Sequence, residues 1–240
     1  MLLYIIGTVL LIKIIAKFFP FHSQDYQFKN VKKSAIQSFL IIIAEIIMTL
    51  AYILVLDYFN NKIPAYGVFL LQAFFYILLT TIVILVVLYE KEGLQSLGIT
   101  KSNLIKSTIL GIFLGAIFFA FYQVLLTTKE TVSIFTIASL VSFIGFIFVG
   151  FAEEIVFRGY FQIRLIAWLG TTKGCLITAI IFSFYHLPVN IFFRGMDFPS
   201  AFISCLTSIP LSLMFGYIMI KTKNITAGAI LHTIIDWTIN

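Results

Sequence analysis

The sequence predicts an all-α protein, a polytopic bundle of about eight transmembrane helices, and three observations predict it. Of its 240 residues, 61% are hydrophobic and only 11% are charged, with a mean hydropathy of +1.08. A soluble domain keeps about a quarter of its residues charged, so the apolar excess here faces lipid. Long apolar runs recur along the whole chain, and about 20 such residues in a helix cross a hydrocarbon core. These runs are continuously apolar, whereas the strands of a membrane barrel alternate and are about half as long.

The runs span residues 2–19, 35–56, 66–89, 104–127, 131–157, 174–193, 199–220 and 225–239. Lysine and arginine test that division. Lys29, Lys32 and Lys33 follow the first run, and Lys91, Lys101 and Lys106 surround the third connection. Arg158, Arg164 and Lys173 follow the fifth, and Lys221 and Lys223 the seventh. The intervening connections hold Lys62, Lys129 and Arg194, so eleven basic residues alternate with three. Cytoplasmic loops collect Lys and Arg, which gives eight spans with both termini outside, in a multi-pass protein of the cell membrane. The net charge of +6 then reads as topology signal and contact with lipid headgroups, not as a nucleic-acid surface.

Other features have structural readings. The first run differs from a signal peptide, since Lys13 interrupts it and no small-x-small site follows, so it is read as a retained span. No polar stretch is long enough to fold separately. The chain is therefore one membrane domain, with N-terminal spans over 1–130 and a C-terminal core over 131–240. Cys175 and Cys205 lie in apolar runs as small core residues. Gly111 and Gly115 give the fourth run a small face that lets a neighbouring helix approach closely. Glu45 stands alone in the second run and reads as a protonated or helix-paired carboxyl.

Ionisable groups in membrane helices cost several kcal/mol and mark function by default. The last hundred residues are dense in them. Glu154 and Arg158 are four apart, on one helix face, and form an ion pair. Glu153 points about 100° away and is left to face elsewhere. Phe182 and His186 lie in the sixth run, His232 and Asp236 in the eighth. Asp236 shares a face with His232 and can fix its imidazole or add a second polar group. His22 lies in a polar loop and is taken as uninvolved. Counting from Arg164, Lys173 and Lys223 at about 1.5 Å per residue puts Glu153, His186 and His232 roughly 16, 20 and 14 Å deep. All three then sit near the midplane of a core about 30 Å thick.

A carboxylate in a low-dielectric site is a competent general base, able to take a proton from water that attacks a peptide carbonyl. His186 or His232 can stabilise the oxyanion or return the proton to the leaving amine. Alternatively, Glu153, His186 and His232 bind Zn²⁺ and metal-bound water is the nucleophile. The HExxH pattern common in zinc enzymes is absent, as are GxSG-type and GxGD motifs. A non-catalytic immunity or binding protein, a proton-coupled carrier and a bis-histidine haem protein are the rival readings.

Taken together, Glu153-Glu154-x-x-x-Arg158, Phe182-x-x-x-His186 and His232-x-x-x-Asp236 resemble the three motifs of the CAAX-protease and bacteriocin-processing (CPBP, or Abi) family, over residues 133–240. The resemblance implies an all-helical intramembrane endopeptidase with Glu153 as catalytic base and Glu154 and Arg158 as structural partners. It implies that His186, His232 and Asp236 line the site. The third motif commonly ends in Asn, where this chain has Asp236. The family is often labelled a metalloprotease, yet a glutamate-first motif also suits metal-free hydrolysis, which is the expectation here. The Phe-, Ile- and Lys-rich composition points to a bacterial chain, so the expected substrate is a membrane-associated peptide or protein and not a prenylated one.

Overall fold

Residues 1–21, 26–59, 62, 65–125 and 136–239 are described by a computed structural model of the protein. The end of the fourth run, the start of the fifth, His22, Lys129 and the boundary at residue 130 lie outside the described residues. All regular structure among the described residues is helical. It comprises α1 (Leu2–Phe18), α2 (Val31–Phe59), α3 (Ala65–Tyr89), α4 (Leu104–Leu125), α5 (Ile137–Glu153), α6 (Ile163–Leu169), α7 (Thr171–Tyr185), α8 (Phe198–Thr222) and α9 (Thr226–Ile239). Among the described residues six helices are long and apolar enough to cross a membrane, the segments Ser139–Leu169 and Thr171–Phe193 each counting as one. With 17 and 14 residues, α1 and α9 are the shorter two of the eight expected spans.

The helices are apolar outside and carry their polar stripe within. On α2 the buried positions Ser38, Ile42, Glu45, Thr49 and Ile53 recur every three or four residues. Leu40, Ile43, Ile47 and Leu54 point outward at 53–71% exposure. In water such a surface would drive association, whereas in lipid it is the solvated face.

The fifth span does not end at 157. The helix runs on through Glu154–Gln162, where it winds wider with i→i+5 geometry, and into α6. Polar residues suggested a boundary, but each is satisfied inside the protein. Gln162 Nε2 donates to Gly216 O at 3.1 Å, Arg164 pairs with Glu92, and Arg164 Nη1 donates to Tyr160 O at 3.0 Å. Arg158 and Arg164 are 0% and 2% exposed, so neither is a free loop cation. Their place in the loop-charge count and the use of Arg164 as a depth marker are both corrected by this burial.

Two apolar cores flank the polar centre. One gathers Val83, Val87, Phe157, Phe161, Leu165 and Phe182, the other Leu114, Phe118, Met214, Phe215, Ile218 and Leu231. Between them α9 is held by α4 and α5. Gly111 and Gly115 lie directly against Ala227 and Ile234, the close approach that their spacing predicts. The α8–α9 turn is tied to the chain before α4, since Asn224 Nδ2 donates to Thr100 O and Ser102 O at 2.9 and 3.0 Å. Asn103 Nδ2 returns a bond to Thr222 O at 2.8 Å.

Gly159 packs directly on the Leu97 carbonyl, so an added methyl meets backbone that cannot yield, whereas at Gly7 it meets open space. Gly159→Ala is expected to cost about 1–3 kcal/mol in detergent unfolding. Gly7→Ala should be neutral or stabilising by about 0.5–1 kcal/mol.

Candidate active site

Three segments converge where the two cores meet. Glu153 closes α5, Glu154 and Arg158 lie on the wide-wound stretch, His186 follows the last residue of α7, and His232 is in mid-α9. The α5 and α9 helices run antiparallel, with Thr233 Oγ1 donating to Phe146 O at 3.2 Å and Trp237 Nε1 to Ser139 O at 3.0 Å. A Cβ at Gly228 would stand 2.8 Å from Glu154 Oε2, so the glycine leaves the room that this carboxylate occupies.

The adjacent glutamates take different surroundings. Glu154, 1% exposed, has Oε1 at 3.1 Å from Arg158 Nη1. That approach is ionic, since Arg158 Nη1 makes no hydrogen bond, while Nη2 donates to Ser212 Oγ at 3.0 Å. The guanidinium carbon also stands 3.9 Å from the Phe182 ring centroid, a cation–π contact. Glu153 has Oε2 at 3.8 Å from His186 Nε2 and 3.7 Å from His232 Nε2, and this oxygen has no hydrogen-bond partner. One carboxylate is thus held in a pair, and its neighbour faces both imidazoles.

The local backbone orients each ring. The α7 ladder ends at Tyr185, and His186 forms a turn before the chain continues as helix through Pro188 into the wide-wound Val189–Phe193. At this turn the His186 backbone N–H bonds Ser183 O instead of Phe182 O, at 3.3 Å. This frees the Phe182 carbonyl, which accepts from His186 Nδ1 at 2.9 Å. Because a carbonyl only accepts, Nδ1 carries the hydrogen and Nε2 is the atom turned to Glu153. In His232, Nδ1 lies 3.2 Å from Glu154 Oε1, so it too is the donor. Its Nε2 then sits between Glu153 and Asp236 Oδ2, the latter at 3.5 Å. The expected Asp236 contact exists, but the closer orienting carboxylate is Glu154, from another helix. Edge-on packing of Phe182 against both rings, at centroid distances of 4.8 and 5.9 Å, completes the alignment.

All seven residues singled out in the motifs are thus brought together. Reading the sequence missed Ser212, Tyr76 and Tyr185. Tyr185 is tied to Thr49 through a 2.6 Å hydroxyl contact, and both tyrosines line a narrow crevice beside Glu153. The adjacency of Tyr185 to His186 was the available signal for it; Tyr76 and Ser212 had none.

Among the described residues no group of three or more His, Cys, Asp or Glu side chains is arranged to hold a metal ion. Tetrahedral zinc with bonds of 2.0–2.2 Å places neighbouring donors about 3.3–3.6 Å apart. The Glu153–His186 and Glu153–His232 separations of 3.8 and 3.7 Å are wider than that. The trio named as candidate zinc ligands is not among the described residues arranged as such a group.

Residues 135–238 match the family model described as type II CAAX prenyl endopeptidase Rce1-like, which bears out the resemblance drawn from the three motifs. No curated protein and no solved structure matches the chain.

Removing one member of a buried ion pair strands the other charge. Arg158→Met is therefore expected to lower unfolding stability by about 3–5 kcal/mol, with partial recovery when Glu154→Met is added. Chemical denaturation in detergent measures both.

Proposed function

With residues 135–238 matching the Rce1-like CAAX endopeptidase family, we propose that the chain is an intramembrane endopeptidase. It hydrolyses a peptide bond of a membrane-associated peptide or protein with a water activated by Glu153. The observation that carries this reading is the unbonded Glu153 Oε2 facing the Nε2 atoms of two histidines whose Nδ1 atoms are engaged elsewhere. In an acyl-transfer site, a base must reach the water while donors face the position of the oxyanion.

Each group then has a task. Glu153 takes one proton of the water, and the hydroxyl adds to the scissile carbonyl carbon. His186 Nε2, with its lone pair directed inward, accepts the other water hydrogen and holds the nucleophile in place. His232, flanked by Glu153, Glu154 and Asp236, carries an Nε2–H that donates to the oxyanion. Collapse of the tetrahedral intermediate breaks the C–N bond. Glu153 delivers its proton to the leaving amine, and carboxylate and amine products result. Glu154 and Arg158 act on the reaction through His232 and Phe182. The site lies inside the bundle, where low polarity strengthens each of these contacts.

Mass spectrometry of membrane peptides from cells carrying wild-type or Glu153→Gln protein tests the reading. Loss of a positioned base lowers the rate by about 10²–10⁴-fold, so a product found with wild type should be absent with Glu153→Gln. A biological activity retained by a folded Glu153→Gln protein would instead identify a non-catalytic immunity or binding protein. Repeating the cleavage with purified protein and a chelator addresses the metal. Unchanged activity is expected, and loss restored by Zn²⁺ would contradict the metal-free scheme.

A further inference from the structure

Glu153 has the two histidines on one side, and its other side is turned to α3, a helix outside the three motifs. A Cβ at Gly145 would stand 3.2 Å from the Phe69 ring, so the glycine seats α3 directly on α5. Seven residues further along α3 and eight along α5, Tyr76 and Glu153 line the same narrow crevice. Both intervals are about two helical turns, so the helices run in the same direction and the register set at Gly145 brings Tyr76 level with Glu153. Phe75, the preceding residue, stacks on Tyr52 of α2 with ring centroids 4.2 Å apart and planes at 9°. That stack holds another face of α3 against α2.

The crevice has no room for a water molecule, so the polar groups that line it find their partners among the protein's own side chains. The Tyr185 hydroxyl is engaged by Thr49 at 2.6 Å. The Tyr76 hydroxyl hydrogen-bonds the Glu153 carboxyl, and beside a carboxylate the phenol is the donor. Because Oε2 has no hydrogen-bond partner, that bond falls to Oε1. The other groups around Glu153 hold it less closely. His186 and His232 approach Oε2 at 3.8 and 3.7 Å, beyond hydrogen-bond distance. Arg158 is turned towards Glu154 and Ser212.

We propose that Tyr76 is a positioning residue of the active site: its hydroxyl holds Glu153 by Oε1 and so keeps Oε2 directed between the two histidines, where the attacking water is activated. The catalytic task of Glu153 rests on the peptidase reading, whereas the hold on its carboxyl does not. A glutamate side chain turns about several bonds, and a displacement of about 1 Å at a reacting group can cost about 10²-fold in rate. Tyr76 lies outside residues 135–238, the part of the chain that matches the family model, so the site is completed from the N-terminal spans.

Two measurements test the hold, one through the reaction and one without it. In liposomes, wild-type protein is given an equimolar mixture of N-palmitoylated dodecapeptides of varied sequence, and the fastest-cleaved peptide is then used alone. Tyr76→Phe keeps the ring and should lower kcat about tenfold to a hundredfold with KM unchanged, since the lost bond acts on the base and not on the substrate. Replacing Tyr76 by para-aminophenylalanine returns a donor and should recover most of that loss, which a purely structural ring would not do. Unchanged kcat with Tyr76→Phe, a fall that the amine does not recover, or a change confined to KM overturns the proposal. For the second measurement, meta-fluorotyrosine at position 76 carries a fluorine resonance that reports on its hydroxyl. Glu153→Leu removes the acceptor and should move the resonance, whereas Glu153→Gln keeps one acceptor oxygen and should move it less. A resonance that stays in place, or moves equally in both variants, overturns the proposal. If the resonance responds as expected yet wild-type protein cleaves no peptide, the peptidase reading fails and the hold on Glu153 stands. If peptides are cleaved and Tyr76→Phe leaves kcat unchanged, the peptidase reading stands and the positioning residue fails.

Discussion

The site depends on a buried ion pair between Glu154 and Arg158. Two charges placed among apolar helices are stable only as a pair with their remaining atoms engaged. Ser212 and the Phe182 ring supply part of that engagement to Arg158. His232 completes the surroundings of Glu154 through Nδ1. The pair therefore does more than neutralise itself. It sets the orientation of an imidazole on a distant helix, and through Phe182 it meets the ring that packs on both histidines. With Glu154 so occupied, the neighbouring carboxylate is the one left facing the cavity.

The helices converge because their inner faces are small or polar. Gly111 and Gly115 bring α4 onto α9, Gly228 makes room for Glu154, and the asparagine contacts at the α8–α9 turn hold the start of α9. Fourteen residues would scarcely cross a bilayer unaided, yet α9 is enclosed by α4, α5 and α8 and carries a residue of the site. Its position is a product of packing more than of hydropathy.

Much of this was legible in the chain. Continuous apolar runs revealed the helical class and the centres of the spans. Four-residue spacing revealed the Glu154–Arg158 pair and the shared face of His232 and Asp236. What escaped was tertiary in origin. Arg158, Gln162 and Arg164 look like a helix boundary because their partners, Ser212, Gly216 and Glu92, come from remote segments. The contact of His232 with Glu154 spans 78 positions, so local spacing pointed to Asp236 instead. Glu45 read as isolated because its neighbours in the crevice come from α3, α5 and α7. A motif reports residues on one helix, and a site is an agreement among several.

The division of labour between adjacent glutamates is the central claim, and thermal unfolding of Glu153→Gln and Glu154→Gln in the same detergent tests it most directly. Glu153 has no hydrogen bond at Oε2, so its replacement should leave the melting temperature at or above that of the wild type. Replacing Glu154 removes the counter-charge of a buried arginine and should lower the melting temperature markedly. Equal melting of the two variants, or the opposite order, would contradict the account.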